Sequence, residues 1–272
     1  MAKVRIAVRD LMGGVRKEEM GENQAVLVFE EKYNRGDTIH IYVEESNAFY
    51  VIRIDDALEE SLVYLTRSYM FYTIPFGEKR ISYNPKAFTG DIHYLTIRRA
   101  EEHEIQNYRN LAKNIMDQPD NQGCFPHAFA NVETRGEAVF AARNAIDGLI
   151  ANTSHGKWPF GSWGINMQKD AEFTLAFGRC VDIDRIALYT RADFPHDNWW
   201  KQATISFSDG SSEVIQMEKS AAPHVFSIVR KNITWLKLEN LIQSDDPSPF
   251  PALTQIAVYG TESSFSGRCG LR

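Results

Sequence analysis

Four of the five Trp residues fall in two polar stretches. The first is Asn152–Trp163, NTSHGKWPFGSW, which holds His155, Trp158 and Trp163. The second is RADFPHDNWW, which brings Arg191, Asp193, His196, Asp197, Asn198, Trp199 and Trp200 within ten positions. A soluble loop has no need of large apolar rings among Arg, Asp, Asn and His. The mixture suits saccharide chemistry: an indole face packs the C–H patch of a pyranose while planar polar groups take its hydroxyls. Arg191 donates as a fork, Asp193 and Asp197 accept, Asn198 does both, and His155 or His196 reaches a single hydroxyl. A second reading makes Asp193, His196 and Asp197 the acid/base set of a glycan-active hydrolase or lyase. A third makes these loops a protein–protein interface, buried in a homo-oligomer. The fifth, Trp235, lies in an alternating stretch and reads as core.

Other chemistries find little support. There is no G-x-G-x-x-G, G-x-S-x-G or H-E-x-x-H, and no pair of C-x-x-C units. Cys124 and His127 lack the partner pair that a zinc site needs. Three cysteines, Cys124, Cys180 and Cys269, are too few for a disulfide framework. With 30 basic and 36 acidic side chains the formal charge is −6, and no basic run offers a nucleic-acid patch. No apolar stretch approaches the roughly 20 residues of a membrane-spanning helix. The opening MAKVRIAVRD alternates and reads as a strand rather than a signal peptide. The expected location is therefore cytoplasmic for the chain as given, or extracellular if a leader has been removed.

The elements that must position these loops read as strands. Ile39, Ile41 and Val43 alternate with polar neighbours, and 49–54, 61–65, 69–74 and 92–97 repeat the style. Between Arg99 and Asp117 the apolar residues Ile105, Tyr108, Leu111, Ala112 and Ile115 fall at helical spacing, which predicts a helix ended by Pro119. Strands then resume. Phe173, Leu175 and Phe177 alternate up to Gly178, and Val181, Ile183, Ile186 and Leu188 follow. Segments 203–207 and 213–217 flank Asp209-Gly210, a strong hairpin signal. Segments 233–238 and 254–259 complete the set. The expected fold is all-β. Two β-sandwich domains, residues 1–100 and 119–262, are joined by a helical connector over 101–118 and followed by a flexible tail at 263–272.

The run AARNAIDGLIANTSHGKWP, with SWGIN, AEFTLAFGRCVDIDRIALYTR, ATISFSDGSS and LTQIAVYG, resembles a discoidin or coagulation-factor type C domain. That family belongs to the galactose-binding-like sandwiches, and the resemblance covers about residues 125–260. It implies a jelly roll of about eight strands with its ligand loops at one end, and non-catalytic carbohydrate binding there. It places Trp158, Trp163 and the Arg191–Trp200 loop near that end. The residues themselves call for no cofactor. The resemblance implies a structural calcium, with Asp147 and Thr153 matching its turn and Gln255 standing where the family has Glu. The first hundred residues are compatible with a second jelly roll by fold-level analogy.

Overall fold

The computed structural model describes residues 2–151, 156–191 and 198–264. Seventeen strands dominate it. Eight come from the first hundred residues: β1 (Lys3–Arg9), β2 (Val15–Glu22), β3 (Gln24–Phe29), β4 (Thr38–Val43), β5 (Ala48–Arg53), β6 (Ser61–Leu65), β7 (Tyr69–Thr73) and β8 (His93–Arg99). Short strands β9 (Arg109–Asn110), β10 (Cys124–Phe125), β11 (His127–Ala130) and β12 (Trp163–Gly164) follow. The long strands β13 (Phe173–Thr190), β14 (Trp200–Phe207), β15 (Ser212–Gln216), β16 (His224–Gln243) and β17 (Ala252–Glu262) close the chain.

The early strands form two antiparallel sheets, ordered β2-β1-β4-β7 and β10-β6-β5-β8-β3. Period-two alternation decides which residues meet between them. Val4, Ile6, Val8, Ile39 and Ile41 from one sheet share a core with Leu27, Phe29, Ile52, Val63, Leu95 and Ile97 from the other. The edge strand β2, VRKEEMGE, has no fully buried residue, which is how a charged edge resists pairing with another chain.

The later strands form one sheet, ordered β12-β17-β13-β16-β14-β15, with β11 added to β13 and β9 to β17. Strands β13 and β16 serve both layers of a folded sheet. The first part of β13 pairs with β11 and with the end of β16, whereas its second part lies between β17 and the start of β16. The turn between layers falls where the register slips, between Ala176 and Val181, and again near Ile183. Gly178 sits there at φ +69°, and Asn232 on the neighbouring strand at φ +56°. The inner faces close on a second core built around Phe173, Leu175, Phe177, Ile186, Leu188, Leu236 and Leu238. Trp235, expected in that core, is only half-buried, because alternation sends Leu236 and Leu238 inward instead. The Asp209-Gly210 hairpin forms as expected, with Gly210 N–H donating to Phe207 O at 3.0 Å. Cys124 is a free buried thiol, and Cys180 is disulfide-bonded.

The helix expected over 101–118 is confined to α1 (Glu102–Gln106), held by a capping box of Glu101 and Glu104. Its apolar residues cannot share one helix face, because they belong to different cores. Leu111 and Ala112 are buried with the later strands, whereas Ile115 and Met116 are buried with the earlier ones. The chain instead pairs Arg109–Asn110 with β17, and the Asn110 carboxamide accepts Ala112 N–H at 3.1 Å in an Asx turn. Cys124 and Phe125 likewise pair with β6, so residues after 119 contribute to the first core as well. Of the expected tail, only Ser263 and Ser264 are among the described residues.

Gly178 is required on two counts. Its φ is left-handed, and a Cβ there would lie 2.3 Å from the Phe125 ring. Gly178→Ala is expected to cost about 3 kcal/mol in urea denaturation. Adding Phe125→Ala should cost less than its own single effect predicts, since it relieves the clash and leaves only the backbone strain.

Candidate functional site

At one end of the later sheet, four segments converge. Residues 134–140, 160–166, 190–191 and 250–252 are tied by backbone pairing of Trp163 with Leu253 and by Arg191 N–H donating to Ala252 O at 2.9 Å. Thr134 Oγ1 accepts Asn166 N–H at 2.9 Å and holds the first segment against the second. Between them lies a shallow hollow of about 140 Å³, walled by Phe140, Asn166, Arg191, Phe250 and Pro251, with Arg135 at its edge. That is room for one small ring rather than the roughly 300–1,000 Å³ of an enclosed drug-sized site.

Arg191 is 3% exposed, and its guanidinium donates to Phe160 O at 3.2 Å and to Ser162 Oγ at 3.4 Å. The same guanidinium stands 6.0 Å from the Phe140 ring centroid. Arg135 holds Glu137 in a bidentate pair, at 2.6 and 3.1 Å. This pairing raises the Arg135 pKa and lowers that of Glu137. Gly164 is needed for closeness: a Cβ there would lie 2.6 Å from Thr134 Oγ1. The described lining contains two aromatic rings, two guanidiniums and an amide, and no Asp, Glu, His or Cys. Its two rings can pack an apolar face and Asn166 can offer an amide, while both guanidiniums are engaged with the protein. A two-carboxylate mechanism is not assembled among those residues.

The sequence-predicted residues divide sharply. Trp163 and Trp200 are fully buried, their ring centroids 6.1 Å apart, with Phe173 5.4 Å from Trp163. They are core, not an exposed cradle: β12 and β14 place them on the inner face, and Trp163 Nε1 donates to Val132 O at 2.9 Å. Asn198 is also buried. Its Oδ1 accepts from Ser244 Oγ and Trp199 N, each at 2.7 Å, and its Nδ2 bonds Ser248 O, so it stitches two loops and is spent. Trp199 is half-exposed, with Lys219 Nζ 5.7 Å from its ring centroid. Trp158 is half-exposed as well, and its Nε1 has no partner among the described residues. Of the expected binding residues that are described, only Arg191 lines the hollow. His155, Asp193, His196 and Asp197 lie outside the described residues. Phe140 and Phe250 were not anticipated. Phe250 stands in DDPSPFP, an aromatic ring in a polar loop, so the criterion applied to Trp would have found it had it been extended to Phe.

Calcium can be tested against the turn at Asp147. It takes about six to eight oxygens and favours charged ones. Asp147 offers a single carboxyl, and its Oδ1 already accepts Leu149 N–H at 2.8 Å. Gln255 Oε1 accepts Gly148 N–H at 3.1 Å. Lys113 packs against Gly148, and the Arg143 and Lys113 charges both act on Asp147. The described residues at this turn do not fit calcium; Thr153 lies outside them.

No protein-family model matches the sequence, and no curated protein matches it. Among solved structures the chain is similar to the lectin domain of lectinolysin complexed with Lewis B antigen (16% identity, TM-score 0.42, 56% of this chain and 96% of that one). It is also similar to the family 32 CBM of NanJ from C. perfringens in complex with galactose (16%, 0.37, 48% and 91%). A third is the F5/8 type C domain of a Bacteroides fragilis protein (13%, 0.38, 50% and 91%). The solved structures it resembles are discoidin-like carbohydrate-binding modules, and the likeness spans about half of this chain.

Two outcomes follow. Trp163→Ala and Trp200→Ala should each lose about 3–5 kcal/mol of stability in chemical denaturation, as core truncations do. Burial pushes the Asp147 carboxyl up to about 7 from its ordinary 3.8, against the opposing pull of Arg143, the Leu149 N–H and Lys113. The folded state therefore binds this proton more tightly than the unfolded chain. Its contribution to stability should be complete below about pH 4 and lost as pH rises through about 7. Asp147→Asn should remove that slope when urea midpoints are compared across pH 4 to 8.

Proposed function

We propose that the hollow beside Arg191 binds one sugar residue of a glycan without transforming it. The observation that carries this reading is a hollow of single-ring size walled by the half-exposed rings of Phe140 and Phe250 and by Asn166, with the buried Arg191 guanidinium 6.0 Å from the Phe140 ring centroid. A pyranose has an apolar face for a ring to cover and rim hydroxyls for an amide to take. Asn166 supplies the amide. The hollow is pre-formed by backbone pairing and by the Thr134–Asn166 bond, so little ordering accompanies binding.

A glycan array followed by calorimetry on the full chain tests this. Phe250→Ala and Phe140→Ala should each weaken binding about 5- to 20-fold, in line with the loss of one ring contact. Their urea midpoints should stay near wild type, since both rings are half-exposed. Arg191→Lys should weaken binding at least about tenfold, because an ammonium cannot hold both Phe160 O and Ser162 Oγ and so loosens the wall of the hollow. Bound oligosaccharide should be recovered intact. A glycan bound equally well by all three variants would place the site elsewhere. Release of reducing ends would favour an enzyme.

A further inference from the structure

In the first sandwich the β5–β6 loop meets the start of β8. His93 there is 1% exposed, and neither of its ring nitrogens has a hydrogen-bond partner. A buried neutral or charged imidazole left unpaired at both ends is costly, so its environment calls for explanation. Its Nδ1 faces Asp55 Oδ2 at 3.8 Å, too far for a hydrogen bond. Asp56 joins them: one ligand atom from each of the three lies within 4.8 Å of the others.

From Asp55, Asp56 and His93 we propose a binding site for a single divalent transition ion, of the zinc or manganese kind. With metal–ligand bonds of about 2.0–2.2 Å, two ligands at the tetrahedral angle stand about 3.4 Å apart. The Nδ1–Oδ2 separation is close to that figure and well beyond hydrogen-bonding range. One imidazole nitrogen with two carboxylates is a set that suits zinc or manganese. The supporting shell is already in place. Asp55 Oδ1 accepts Ala57 N–H at 2.9 Å and Oδ2 accepts Phe88 N–H at 2.8 Å, which fixes the carboxylate while leaving each oxygen a second lone pair. The His93 ring is clamped by Tyr33, with ring centroids 3.9 Å apart, and by Phe29 at 6.1 Å. Asp56 is exposed, which gives an ion its way in and leaves a coordination position for water. The site belongs to a different core from the hollow at Arg191 and does not depend on sugar binding.

The test uses the full chain, freed of metal by a chelator and titrated with zinc chloride in a calorimeter. One equivalent should bind, and the melting temperature should rise with it. Asp56→Asn removes an exposed ligand without disturbing the core and should weaken that site at least fivefold. Cobalt, as a coloured substitute, should give a visible absorption band that shifts in Asp56→Asn and is lost in His93→Gln. Failure to bind zinc, or an Asp56→Asn variant whose affinity changes less than fivefold, overturns the proposal. Neither result bears on glycan binding.

Discussion

The buried guanidinium of Arg143 stands where the two cores meet, and much of the structure depends on how it is satisfied. It donates to Asp117 O at 2.8 Å, to Ile115 O at 3.1 Å and to Asn144 Oδ1 at 2.9 Å, and lies 4.4 Å from the Tyr83 ring centroid. The Asp117 carboxylate is equally buried, accepting Asn121 Nδ2 and Ala128 N–H, each at 2.9 Å, with His127 Nδ1 at 2.8 Å. A buried charge is tolerated only when its lone pairs and protons are all met. That condition pins residues 114–128, which feed Ile115, Met116 and Cys124 to one core and Ala128 to the other. A second seam repeats the logic nearer the surface. Glu262 accepts from Arg179 at 2.9 Å and from Arg109 at 2.5 Å, while Arg179 lies 5.0 Å from the Phe49 ring centroid.

The segments carrying Arg191, Phe140 and Phe250 have little regular structure of their own. They are held because Trp163 and Trp200 fill the sandwich end beneath them, and because Asn198 ties the start of β14 to the 244–248 loop. The Trp163 and Trp200 indoles, expected as ligand contacts, are packed in the later core. Their apolar area is used against Phe173 and its neighbours, whereas Phe140 and Phe250 stand half-exposed at the hollow.

Legibility in the sequence follows a physical division. Strands with one buried face announce themselves by alternation, as β1, β4 and the opening of β13 do, and a tight turn announces itself by Asp-Gly. Strand β2 was silent because neither face is fully buried, so no period marks it. The run from Ile105 to Ile115 misled because helical spacing reports which residues are apolar, not whether they share a destination. His93 was silent too: its neighbours Asp55 and Asp56 lie on another loop, and only strand pairing brings them together.

By itself, the sequence determined the all-β character, the later sandwich with its Gly178 break, and the concentration of aromatic and hydrogen-bonding residues in loops. These are properties of near neighbours along the chain, set by alternation, turn stereochemistry and composition. Which of those aromatic rings face solvent was decided only by the tertiary structure. A ring flanked by polar residues turns inward or outward according to the strand it pairs with, as Trp163 does opposite Leu253, and that pairing is made by residues far away in sequence.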